Sequence, residues 1–139
     1  MLMNEYITKV GDVTYNLKFR NTTTIIIGDS GTGKTLLYNR LSDEAVFNQD
    51  MKCLNFKFNG NAYDTISKLK NKIIIIDNGD LLLGDKEREF IRKDKSNQYI
   101  IFCKNLKGLP IGWSRLARFK RDGNEIKLYY FMKPDINGE

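Results

Sequence analysis

The chain has no histidine, and only two of its 139 residues are cysteine, Cys53 and Cys103. Both cysteines sit in apolar runs ("CLNFKF" and "YIIFCK") without a second cysteine at metal-ligand spacing, so they read as buried thiols rather than as metal ligands or nucleophiles. Long apolar runs are missing too. A membrane-crossing helix needs about 20 such residues, and no stretch approaches that length. The opening residues, "MLMNEYITKV", have no basic segment leading into an apolar one. No signal peptide is therefore expected, and the expected location is the cytoplasm. Repeats, low-complexity tracts and Pro/Ser-rich linkers are also absent, which points to one domain over residues 1–139. A chain of this length can bury enough surface to fold without disulfides or metal.

Acidic residues are missing from one particular place. Between Lys104 and Arg121 lie six basic residues (Lys104, Lys107, Arg115, Arg118, Lys120 and Arg121) and no acidic one. They equal the net charge of the whole chain, +6, so the remainder is neutral. Such a local excess suits phosphates, nucleic acid or an acidic protein surface. It equally suits a hairpin edge kept soluble by Lys and Arg.

What is present is a series of short, strongly patterned segments. Tyr6–Val10 and Thr14–Phe19 alternate around "GD" and predict a β-hairpin. Thr23–Ile27, Lys72–Ile76 and Tyr99–Cys103 are nearly continuous apolar runs, as expected of strands buried on both faces. Lys52–Phe58 reads as a further strand. Helical spacing marks Lys34–Leu41 and Ala62–Leu69, and Asp85–Lys93 reads as a charged surface helix. Arg115–Phe119 and Ile126–Phe131, split by "RDGN", predict a second hairpin. Strands alternating with helices predict an α/β fold: a mainly parallel sheet flanked by helices, with antiparallel hairpins at both termini.

The most specific segment is "GDSGTGKT", Gly28-Asp29-Ser30-Gly31-Thr32-Gly33-Lys34-Thr35. It fits G-x-x-x-x-G-K-[ST] at every fixed position, with a buried strand before it and a helix after. Glycines let the backbone turn its N–H groups toward phosphate oxygens, and the helix N-terminus adds partial positive charge. A lysine there reaches the β- and γ-phosphates, and a threonine hydroxyl suits Mg²⁺. "KIIIIDNGD" ends a second buried strand on Asp77. On its own residues that carboxylate reads as the start of an Asp-Asn-Gly turn closing the strand.

These two segments resemble the Walker A and Walker B motifs of P-loop nucleoside triphosphatases of the additional-strand type. The resemblance covers roughly residues 23 to 105. It implies ATP, or GTP, bound with Mg²⁺ by Gly28, Asp29, Ser30, Gly31, Thr32, Gly33, Lys34 and Thr35, with Thr35 and Asp77 as metal ligands. Asn105, at the tip of the third buried strand, resembles in placement the polar sensor residue of AAA+-like proteins, though it equally begins the loop "NLKGLPIG". The implied catalytic set is Lys34, Asp77 and Asn105. Asn78 stands where many relatives of this type carry a glutamate, and its amide is no base, so hydrolysis is expected to be slow. Asp80 is a weaker candidate for that base.

An ATP-binding-cassette signature is missing, as is room for the lid of AAA+ proteins, so the chain reads as a minimal core. The expected function is a slow ATPase or nucleotide-dependent switch. It would act through Arg115, Arg118, Lys120 and Arg121 on a protein or nucleic-acid partner; one of these could instead be an arginine finger in an oligomer. One alternative is a small-molecule kinase, since the loop is similar to that of guanylate-type kinases and Arg88 and Arg92 share a helical face. Another is a degenerate P-loop interaction module. Trp113, Tyr129, Tyr130 and Phe131 are expected in the hairpin core rather than in a stacking platform.

Overall fold

In a computed structural model of the protein, residues 1–29, 31–55, 57, 60–104 and 115–131 are described. The chain opens with a hairpin of β1 (Glu5–Val10) and β2 (Val13–Lys18), turned at Gly11 with φ 60°. Strand β3 (Thr23–Ile27) leads into α1 (Lys34–Ala45), followed by β4 (Met51–Leu54), α2 (Ala62–Lys68) and β5 (Ile73–Ile76). The short α3 (Gly79–Leu82), then α4 (Asp85–Lys93) and β6 (Gln98–Cys103) come next. A second hairpin, β7 (Leu116–Asp122) and β8 (Glu125–Tyr130), turns at Gly123 with φ 61°. Among the described residues no helix is long and apolar enough to cross a membrane.

Local chemistry accounts for these elements. Ile73–Ile76 is β-branched throughout and buried on both faces, as an interior parallel strand requires. Helix α2 starts where the Asn61 side chain accepts the Asp64 amide at 3.1 Å. Helix α4 places Asp85 and Glu87 in its first turn and Arg92 and Lys93 in its last, complementing the helix dipole.

The global arrangement departs from the expected parallel sheet flanked by helices. Among the described residues eight strands form one mixed sheet in the order β1-β2-β8-β7-β3-β6-β5-β4, curled into a half-barrel, with 38% of those residues in strands and only 28% in helices. The terminal hairpins are therefore not decoration. Strand β2 pairs in parallel with β8 (Tyr15 beside Ile126), and β7 pairs in parallel with β3 (Leu116 beside Ile25). The two hairpins, far apart in sequence, together supply half of the sheet.

Helix α1 explains the curl. It packs against β4 at one edge of the sheet. At the other edge it meets β1, where Tyr6 Oη donates to Glu44 Oε1 at 2.9 Å and Arg40 Nε to Thr8 Oγ1 at 3.1 Å. Laid flat, eight strands would span about 34 Å at ~4.8 Å each. A 12-residue helix is only about 18 Å long. One helix touches both edges only because the sheet wraps around it. The core on that side joins Leu37 and Leu41 of α1 to Tyr15, Ile75, Phe102 and Ile126. On the opposite side, Ile66 of α2 and Ile91 of α4 pack on Ile25, Ile74, Tyr99 and Leu116.

Two buried amides tie the base of the sheet. Gln98 pairs with the Met3 backbone in both directions, accepting from its amide at 2.7 Å and donating to its carbonyl at 2.8 Å. Asn97 accepts from the Lys72 amide at 2.9 Å while donating to Leu69 O and Asp94 Oδ2.

Candidate functional site

The chain leaves the buried strand β3 at Ile27 and re-forms as helix at Lys34, so residues 28–33 bridge a strand end and a helix start. Gly31 and Gly33 take φ 86° and 96°, the left-handed region that side-chain-bearing residues avoid. Gly33 has a second constraint: a Cβ there would lie 2.8 Å from the hydroxyl oxygen of Tyr15. That hydroxyl donates to Gly33 O at 2.8 Å, so β2 holds the loop from the side. Because Gly33 is also the N-cap, the capping residue has no side chain to offer the first amides of α1, and no acidic residue stands in the first turn. The positive end of the helix thus lacks both of these usual partners.

Lys34 folds back over this turn. Its ammonium donates to Gly28 O, to Asp29 O at 2.9 Å and to Thr32 Oγ1 at 3.3 Å. Thr32 Oγ1 in turn donates to Asp29 O at 3.0 Å. Burial lowers the Lys34 pKa, while Asp29 and then Asp77 pull it back up. Asp77 follows the last residue of β5. Burial raises its pKa; the Asn78 amide, donating to Oδ1 at 3.0 Å, and the Lys34 charge act against that rise. Each group therefore stabilises the other's charged form against desolvation.

Lys34, Thr35 and Asp77 line one cavity of about 440 Å³ with Asn78, Cys103 and Lys104. Its other wall is apolar and comes from the hairpins: Val13 and Tyr15 of β2, Phe119 of β7 and Ile126 of β8, with Arg121 at the rim. Tyr15 and Phe119 stack edge to face with centroids 5.6 Å apart. Sequence reasoning missed this wall. Alternation in the hairpins marks these residues as inward-facing, but only the β2–β8 and β7–β3 pairings bring that inner face to the loop. Ser30 and Asn105 lie outside the described residues, as does Trp113.

The backbone explains the asparagine after Asp77. Asn78 sits at φ 53°, ψ 47°, a left-handed turn that asparagine tolerates and glutamate resists. The next residue, Gly79, is buried against β6, where a Cβ would lie 2.5 Å from Ile101 Cγ2 and 3.2 Å from Cys103 Sγ. "DNG" is thus set by a tight turn under the sheet. Asp80 does not line the cavity. Its Oδ1 is buried in α3 with no hydrogen-bond partner among the described residues. Nor do Arg88 and Arg92 reach the cavity: Arg88 is buried against α3, its guanidinium 3.5 Å from Asp80 O, and Arg92 pairs with Glu89 at 2.7 Å.

The four basic residues expected to act together separate into three places. Arg121 lines the cavity. Arg118 and Lys120 point to solvent from the other face of β7. Arg115 is buried before β7 begins. The expected aromatic core also divides. Tyr130 turns inward and donates to Lys18 O at 2.7 Å, whereas Tyr129 and Phe131 remain exposed.

Compared with protein-family models, with curated proteins and with solved structures, the chain matches none of them.

Proposed function

We propose that this protein binds a nucleoside triphosphate, ATP or GTP, with Mg²⁺, and works in the cytoplasm as a slow nucleotide-dependent switch. The observation that carries the reading is the convergence of Lys34, Thr35 and Asp77 on one cavity at the glycine-capped N-terminus of α1. The donor set fits a magnesium–triphosphate. Glycine-loop amides and the helix end favour anionic oxygens. Lys34 would hold the β- and γ-phosphates, and the Thr35 hydroxyl and Asp77 carboxylate are hard oxygen donors of the kind Mg²⁺ takes. The metal, when bound, would supply charge neutralisation on the phosphates.

This chain's own residues then set the rate. Asn78 has no basic atom to take a proton from water, and Asp80 is turned away into α3. Binding without rapid turnover is the behaviour of a switch. Its output would pass through β7, which carries Phe119 and Arg121 toward the cavity and Arg118 and Lys120 away from it.

The test is calorimetric titration of ATP and GTP with Mg²⁺ into the native protein and Lys34→Ala, with phosphate release followed in the same samples. The native protein should bind at least one nucleotide and release phosphate slowly. Losing charge-assisted contacts worth about 1.5–3 kcal/mol should weaken the variant by roughly 10- to 100-fold. Equal binding by both proteins, or by neither, overturns the reading.

A further inference from the structure

On the solvent face of the second hairpin, Arg118 lies directly across from Tyr129, and Lys120 across from Lys127. Tyr129 is 45% exposed and Phe131, two residues on and on the same side, 41%. Two neighbouring aromatic rings left this open on a sheet are a departure from the usual burial of such residues. They are also ordered by their surroundings. The rings meet edge to face with centroids 6.3 Å apart, and the Arg118 guanidinium and Lys120 ammonium lie 4.8 and 5.9 Å from the Tyr129 centroid. Acidic groups on β7–β8 are confined to the turn, where Glu125 is engaged by Lys127 at 3.4 Å and by Asn16 at 3.3 Å. Away from the turn the two strands present cations and rings only. Further out on the same face, Glu5 of β1 lies across from Lys18, and exposed Lys9 across from Thr14, so the positive charge continues onto β1 and β2.

We infer that this face binds single-stranded nucleic acid, its bases stacking on Tyr129 and Phe131 and its phosphates running along Arg118, Lys120 and Lys127. Every base has a face that stacks on an aromatic ring, and cations beside the rings track the backbone. A duplex hides its base faces and could use only the cations. An acidic peptide could use the cations as well, but has no need of two exposed rings. The cations against Tyr129 fix the ring before any ligand arrives, which reduces the ordering cost of binding. In naming the partner, this inference rests on the switch reading above: β7 is shared by platform and cavity, so nucleotide in the cavity would bias the strand that carries Arg118 and Lys120. Binding of the strand itself needs only the platform.

The experiment is fluorescence anisotropy with labelled oligothymidylate and oligouridylate of about 15 nucleotides, within the range of known single-strand sites. A duplex of the same length and polyglutamate serve as competitors, at several salt concentrations, with and without Mg²⁺–ATP. The single strands should bind, and the duplex and polyglutamate should compete poorly. Tyr129→Ala and Phe131→Ala should each weaken binding about tenfold with an unchanged salt slope. Arg118→Ala with Lys120→Ala should reduce the slope of log affinity against log salt by about 1.4, at ~0.7 per phosphate contact. These side chains are at the surface, and circular dichroism of each variant confirms the fold. Native-level affinity in Tyr129→Ala/Phe131→Ala overturns the inference. So does absence of binding in every nucleotide state, or displacement by polyglutamate or duplex as effective as by single strand. ATP titration of the same variants keeps the two readings apart: a failed platform leaves nucleotide binding intact, and a failed cavity leaves strand binding without nucleotide dependence.

Discussion

Gly79 offers the sharpest test of how the Asp77 turn is built. An alanine Cβ at this position would sit 2.5 Å from Ile101 Cγ2, and Ile101 is fully buried in the middle of β6. A second contact, Cys103 Sγ at 3.2 Å, comes from another buried side chain of the same strand, so relief requires repacking inside the core. Overpacking of this kind costs about 1–3 kcal/mol, and the short contact places this case at the upper end. Against it stands the ordinary gain of replacing glycine in a helix, at most about 1 kcal/mol and less in a helix of four residues. The net expectation for Gly79→Ala is a loss of about 1–2 kcal/mol. For a chain of 139 residues this lowers Tm by roughly 4–8 °C, at about 4 °C per kcal/mol. Urea unfolding of native, Gly79→Ala, Ile101→Ala and the double variant measures it. Ile101→Ala alone should cost about 2–5 kcal/mol through the cavity it leaves. In that background the added methyl has room, so Gly79→Ala should become neutral or stabilising, a coupling of at least about 1 kcal/mol. If Gly79→Ala unfolds at the native midpoint, or costs the same in both backgrounds, the steric account of this turn is wrong.

The residue before it makes a complementary case: Asn78→Gly should leave stability within a few tenths of a kcal/mol, whereas Asn78→Glu should lose about 1–2 kcal/mol by forcing a long side chain into the left-handed region. Phosphate release per folded Asn78→Glu protein, measured alongside, should rise above native, because the slow turnover proposed above is laid to the missing base at this position, and an unchanged rate would refute that account. At the base of the sheet, burial would raise the Asp94 pKa, but hydrogen bonds from the Tyr99 hydroxyl (2.6 Å), Ser96 and Asn97 outweigh it and hold it below its ordinary 3.8. A depressed carboxylate contributes stability that is present above 3.8 and lost as pH falls through the lower folded value. Acid unfolding of native protein should therefore steepen below that point, and Asp94→Asn should be less stable at neutral pH with a flatter acid limb; parallel curves would refute this.

Local structure was largely legible in the sequence. The isoleucine run at 73–76, the β-branched run at 23–27 and the charged helix Asp85–Lys93 stand where their periodicity puts them. The "DG" turn of the second hairpin is closed by Gly123 at positive φ, as its composition predicts. The glycine-lysine segment does lie between strand and helix, and Asp77 does line the same cavity as Lys34. Asn78 was legible only as an anomaly: its residue type raises the question of a missing base, and the answer, a left-handed backbone, is visible only in three dimensions.

Alternation states which side chains share a face of a strand, and that is a property of each segment alone. It carries nothing about which strand edge meets which, since pairings such as Tyr15 with Ile126 join residues over a hundred positions apart. Hence the sequence by itself determined most of the strands and helices and the glycine-lysine pattern, though not the end of β4 at Leu54 or the short helix Gly79–Leu82. Only the tertiary structure decided that the hairpins complete an eight-stranded half-barrel around α1, that they wall the cavity with Tyr15, Phe119 and Ile126, and that Arg121 faces that cavity while Arg118 and Lys120 face away. The reason is physical: backbone hydrogen bonds at a strand edge are the same for every sequence, so the choice among edges is made by burial of whole faces against one another.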